Sequence, residues 1–126
     1  MDITEIAVGN FITIYEILKQ VDEKLMKELP QYDPTDIQPV VISEKWLLAF
    51  DFEKTVQSDM TRYYRLKEGD LLFEIVFPKR KPAALYIYKS NEMIKHYVRE
   101  EHFMIHILQN VYEQHTGKKL EKNTTT

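Results

Sequence analysis

At 126 residues, with 44% hydrophobic, 12% aromatic and 29% charged side chains, the chain has the composition of one folded globular domain and not of a disordered segment. A formal charge of −3 identifies no partner and disfavours a protein built to coat nucleic acid. The absence of Cys excludes disulfide frameworks, thiolate zinc sites and thiol nucleophiles, and suits a reducing cytoplasm.

The opening MDITEIAVGNF lacks the basic and apolar regions of a secretory signal. No run approaches the roughly 18 consecutive apolar residues of a membrane span. Residues 13–29 contain neither Gly nor Pro, and Ile14, Ile17, Leu18, Val21, Leu25 and Leu29 recur at helical spacing. Thr13 and Glu16 have the spacing of a capping box, Glu23 and Lys27 that of an i,i+4 ion pair, and Pro30 closes the segment. An N-terminal helix is expected here, followed by a turn in QYDPTD and a short extended run in IQPVVI.

Ser43 reads as the N-cap of a short middle helix, EKWLLAF, burying Trp46, Leu47 and Phe50. A meander follows. The runs TRYYRLK and LLFEIVF are joined by Glu68-Gly69-Asp70, a loop with the Gly such a turn favours. PKRKP separates the second run from AALYIYK, and SNE leads on to MIKHYV. Phe73, Ile75 and Phe77 alternate on one face, as do Tyr86 and Tyr88. Residues 101–116 read as a closing helix with Leu108, Val111 and Tyr112 inward and Gly117 at the stop. The expected fold is α+β: a four-stranded antiparallel sheet packed with an N-terminal helix, a short middle helix and a C-terminal helix. A single domain over residues 1–120 and a disordered tail over 121–126 are expected.

Three blocks, AVGNFI, IQPVVISEKWLLAFDF and IHILQNVYEQHTGKKL, together resemble a family of small uncharacterised proteins of bacterial phages and integrated mobile elements. That family carries L-R-I-G-N-Y-V, then P-I-P-L-T-E-E-W-L-x-x-F-G-F, then Y-V-H-x-L-Q-N-L-Y-x-x-L-T-G-x-E-L. Gly9 and Asn10 match the first block; Pro39, Glu44, Trp46, Leu47, Phe50 and Phe52 match the second. His106, Leu108, Gln109, Asn110, Tyr112, Thr116, Gly117 and Leu120 match the third, which is the most specific. Val41 stands for a Pro, Asp51 for a Gly and His115 for a Leu, while Lys118 and Lys119 reverse an acidic pair. In the family the segment after G-N-Y reads as short strands, where the periodicity here favours helix. The resemblance implies a genomic setting and no chemistry.

Few residues form a chemical constellation. His102 and His106 are spaced to share a metal from one helical face, with His96 before them, but no H-E-x-x-H is present and a zinc site needs three or four ligands. His106, Gln109 and Asn110 fit a polar packing role better than a site, because buried polar groups need partners. Lys79, Arg80 and Lys81, held between Pro78 and Pro82 with Lys89 and Lys95 in the adjoining runs, form the densest positive charge. They are the candidate partner-binding residues for an acidic protein surface or for phosphates. Tyr63, Tyr64, Tyr86 and Tyr88 offer stacking surfaces if the partner is single-stranded nucleic acid, and core packing otherwise. No G-x-S-x-G, phosphate-cradling loop or dinucleotide fingerprint occurs, so no catalysis and no cofactor are expected.

The sequence therefore favours a non-catalytic phage or mobile-element protein that acts in the bacterial cytoplasm by binding a host protein. The partner would be a nuclease or ribonucleoprotein of host defence, in the manner of an anti-CRISPR inhibitor. A nucleic-acid-binding accessory factor and a metal-dependent hydrolase using His102 and His106 are the alternatives.

Overall fold

The computed structural model describes residues 1–55, 61–78, 82–98 and 103–123. The chain divides into two units, residues 1–42 with 104–120 and residues 43–103 with 121–126. Both are α+β, and each has its own antiparallel sheet.

In the first unit the expected N-terminal helix over 13–29 is not formed. Strands β1 (Phe11–Ile14) and β2 (Ile17–Gln20) make a hairpin instead. Ile12, Thr13, Ile14 and Ile17 are β-branched and favour extended backbone. Tyr15 (φ 50°) and Glu16 (φ 66°) supply the two left-handed residues of a tight turn. Ile14 and Ile17, three apart as on a helix, are directly opposed cross-strand partners. The Thr13–Glu16 capping box is therefore absent, and the Thr13 hydroxyl lies 3.4 Å from the Gln38 carbonyl. Helix is confined to α1 (Glu23–Glu28), whose Leu25 N–H donates to the Asp22 carboxylate at 2.7 Å.

Strand β3 (Ile37–Pro39) pairs with the other side of β1, giving the order β2-β1-β3. Ile6, Ile12, Ile14, Val21, Leu29 and Ile37 form the core of this unit. Its closing helix α3 runs Ile105–Thr116 and not from residue 101, because Met104 is extended and bridges Val41. The Ile105 N–H donates to the Val40 carbonyl at 2.8 Å. Gly117 (φ 72°) ends α3 as expected.

The second unit begins with α2 (Glu44–Ala49). Ser43 occupies its N-cap position, and its carbonyl accepts from Leu47 N–H, but its hydroxyl makes no cap bond. The sheet has five strands where four were expected: β4 (Glu53–Lys54), β5 (Arg62–Glu68), β6 (Leu71–Phe77), β7 (Ala84–Lys89) and β8 (Glu92–Val98), paired in that order. The additional strand has only two residues, too few to show a period. Glu68 pairs with Leu71, so the first turn is the two residues Gly69 and Asp70.

Alternation sorts the two faces of this sheet. Tyr64, Ile75 and Leu85 align in one row and Phe73 with Ile87 in the next, all fully buried. Leu47 from α2 and Phe50 just after it are buried too, and Trp46 is half-buried with its ring 5.8 Å from that of Phe50. In the stretch expected to be a free tail, the Asn123 side chain donates to the Asp51 carboxylate at 2.9 Å.

Candidate functional site

The polar residues of α3 are joined to the N-terminal segment of their own unit. The Gln109 amide accepts from Phe11 N–H at 2.9 Å and donates to the Gly9 carbonyl at 2.9 Å. Asn110 accepts from the Asn10 side chain at 2.9 Å and donates to the Glu5 carbonyl at 2.8 Å. The Asn10 oxygen in turn accepts from Ala7 N–H at 2.7 Å. Asn10, His106 and Gln109 are buried. The His106 Nε2 lies 3.4 Å from the Glu5 carboxylate. Through these bonds the Asn10, Gln109 and Asn110 side chains satisfy main-chain groups of Glu5, Ala7, Gly9 and Phe11.

The Gly9-Asn10 and His106-x-x-Gln109-Asn110 blocks are thus two halves of one internal lock. Gly9 needs its φ of 96°, and its face is closed by the Lys119 side chain, whose Nζ donates to the Val8 carbonyl at 2.8 Å. His102 lies outside the described residues, and His96 sits on β8 with its ring stacked 6.3 Å from Tyr86. Among the described residues no group of three or more His, Cys, Asp or Glu could hold a metal ion.

Of the basic residues, Lys79, Arg80 and Lys81 lie outside the described residues. Lys89 is the last residue of β7, at the opposite end of that strand from Ala84. Lys95 pairs with Ile87 and holds its ammonium 5.7 Å from the Tyr97 ring centre. The four tyrosines divide: Tyr64 is in the core, while Tyr63, Tyr86 and Tyr88 lie on the opposite face of the sheet, half-buried.

On that opposite face Arg65, Glu74, Tyr86 and His96 align across four strands. Glu74 is 7% exposed and accepts from the Arg65 Nε at 2.7 Å. Burial and the neighbouring Glu74 carboxylate push the Tyr88 hydroxyl above its usual pKa. An open concavity of about 770 Å³ sits over Leu72, Glu74 and Tyr88 and is flanked by Arg65, Lys67 and Asn91. Sequence reasoning missed it. Its signal was one charged residue, Glu74, inside the apolar run LLFEIVF.

The strands at one side of each sheet, β2 and β8, are largely exposed. All four residues of β2 and six of seven in β8 are exposed. Nine large apolar side chains are exposed among the described residues, and six of them, Tyr15, Ile17, Leu18, Met93, Ile94 and Val98, lie on these strands or on the hairpin turn. A free edge bearing apolar side chains is a template for pairing with another chain.

Comparisons with protein-family models, curated proteins and solved structures find no match. Among the described residues no helix is long and apolar enough to cross a membrane.

Proposed function

We propose that this chain is a non-catalytic accessory protein of a phage or mobile element that binds a host protein in the bacterial cytoplasm. Inhibition of a host defence nuclease or ribonucleoprotein, as by an anti-CRISPR protein, is the concrete form of the reading. The observation that carries it is the concentration of exposed apolar side chains on β2 and β8. Isolated exposed apolar residues are ordinary, but clusters on open strands favour association. Gln109 and Asn110 of α3 are engaged with main-chain groups of Glu5, Gly9 and Phe11 and are not free for chemistry. The genomic setting rests on the resemblance of the three sequence blocks.

The test is capture from host lysate at physiological salt, followed by reconstitution with the purified partner. A stoichiometric complex weakened by Met93→Lys with Ile94→Lys, or by Lys79→Glu with Arg80→Glu and Lys81→Glu, is the expected result. Retention of no protein overturns the reading. Retention of nucleic acid alone, with affinity falling steeply as salt rises, replaces it with the nucleic-acid alternative.

A further inference from the structure

We infer that β2 takes an extended segment of the partner protein as an added antiparallel strand, with an acidic side chain opposite Lys19 and a large apolar one opposite Ile17. This rests on the protein-binding reading and names the surface and the chemistry that it selects. The main-chain phase of β2 is set at its end, where Val21 N–H donates to the Asn10 carbonyl at 2.8 Å and Gly9 N–H to the Val21 carbonyl at 2.7 Å. Antiparallel pairs alternate, so residues 17, 19 and 21 turn their main chain to β1, while Leu18 and Gln20 present theirs to the open side.

Side-chain alternation adds a groove to that edge. Ile17 and Lys19 are opposite Ile14 and Ile12, and so share the sheet face that carries the core of this unit. A concavity of about 420 Å³ runs along this face, lined by Ile14, Tyr15, Ile17, Lys19, Leu25 and Tyr32. Tyr15 is 61% exposed and Ile17 58%, so the apolar lining is open to a ligand. The Tyr15 ring stands edge-on to that of Tyr32 at 5.9 Å, and its backbone is held at a left-handed φ that a tyrosine rarely adopts. In strand addition, main-chain hydrogen bonds give affinity and pockets for alternate side chains give specificity. Both components are present here within one unit.

Charge selects the occupant. Lys19 and Lys24 line the groove, and neither has a carboxylate within 4.0 Å among the described residues. Two carboxylates, Asp22 and Glu28, also line the groove and balance its formal charge, so the selection rests on Lys19, the one charged position on β2 that an added strand would face. Opposite charges on facing positions favour strand pairing and like charges oppose it. A second copy of this chain fits poorly. The in-phase registers of a two-fold pair set Lys19 against Ile17, Lys19 or Val21, and none gives it a carboxylate. An antiparallel segment reading acidic–x–aromatic, from its N- to its C-terminal side, puts the acid on Lys19 and the ring beside Ile17 and Tyr32.

A labelled Thr-rich peptide with Glu-Thr-Phe at its centre is the probe, titrated into the full chain by fluorescence polarisation and by NMR. Saturable binding that shifts and protects the amides of Leu18 and Gln20 is expected. Lys19→Glu should weaken it roughly fivefold to tenfold, and a Lys-Thr-Phe peptide should restore binding to that variant. Ile17 and Lys19 are exposed, so their variants are expected to fold, with circular dichroism as the check. No saturation at millimolar peptide, equal affinity for the reversed order Phe-Thr-Glu, or no rescue by the charge swap each overturns the inference. A reconstituted partner complex that is unmoved by Lys19→Glu and Ile17→Lys also overturns it, while leaving the protein-binding reading intact.

Discussion

Gln109 spans two main-chain groups with one side chain, accepting from Phe11 N–H and donating to the Gly9 carbonyl. Its burial makes the arrangement costly to break, because an unpaired buried donor loses its water without a replacement. Gln109→Ala is expected to destabilise by about 1–3 kcal/mol in urea unfolding. Gln109→Glu should cost more, since it loses the donor to Gly9 and buries a charge. Asn110→Ala removes two further bonds at a less buried position and should cost less than Gln109→Ala. If Gln109→Ala unfolds at the wild-type midpoint, the lock is not a structural element. Asp51 shows residue logic of another kind. It stands where the resembling family carries Gly, and its φ of 69° explains that preference. Asp tolerates this conformation better than most residues, and its carboxylate also holds Asn123. Stability should rank Gly or Asp above Ala, and Ala above Val, with Asp51→Ala costing about 1 kcal/mol.

At the level of elements, the β1–β2 hairpin shows where sequence reading failed and why. Helical and hairpin periods coincide when a two-residue turn sets positions i and i+3 opposite each other, as it does for Ile14 and Ile17. Asn-Gly would have marked such a turn, whereas Tyr15-Glu16 carries no turn signature and pays strain to adopt it. The strand arrangement was legible only in the family pattern after G-N-Y. By contrast, β6 and β7 were legible because alternation and long apolar runs agree there, and the α3 stop because Gly117 has few other reasons to follow Thr116. The candidate surfaces were legible in part. Clustered Lys and Arg are visible in sequence, but an open edge depends on which strands pair, and that is a property of topology. Replacing Tyr15-Glu16 by Asn-Gly should stabilise the hairpin by about 1 kcal/mol. Thermal unfolding measures this, and the same variant should bind the Glu-Thr-Phe peptide less well. A variant that is no more stable than the wild type would show that Tyr15 and Glu16 carry no strain at the turn.

For the molecule as a whole, titrating groups in both units shape how stability depends on pH. Hydrogen bonds from the Thr4 hydroxyl hold Asp2 below its usual carboxylate range, and the Thr35 N–H does the same for Asp33. The Tyr64 hydroxyl, 2.7 Å away, and then Lys54 hold Glu44 low in the second unit. A carboxylate depressed in the folded state stabilises it above the unfolded pKa, and loses that effect as pH falls through the folded value. All three therefore contribute above pH ~4.5 and fail together below it. Tyr64 moves the other way. Burial, and then its bond to Glu44, push it up to about 12. Its contribution is complete below the ordinary tyrosine value of about 10 and is lost as pH rises through the folded value. Unfolding midpoints should consequently form a plateau bounded by an acid limb and an alkaline limb. Glu44→Gln should lie below wild type at neutral pH and converge on it at pH ~3. Tyr64→Phe should flatten the alkaline limb, and tyrosinate absorbance in the wild type should show one tyrosine ionising only as the chain unfolds. An alkaline limb unchanged in Tyr64→Phe would assign that limb to other groups, with Tyr88, raised by burial and by Glu74, the next to test.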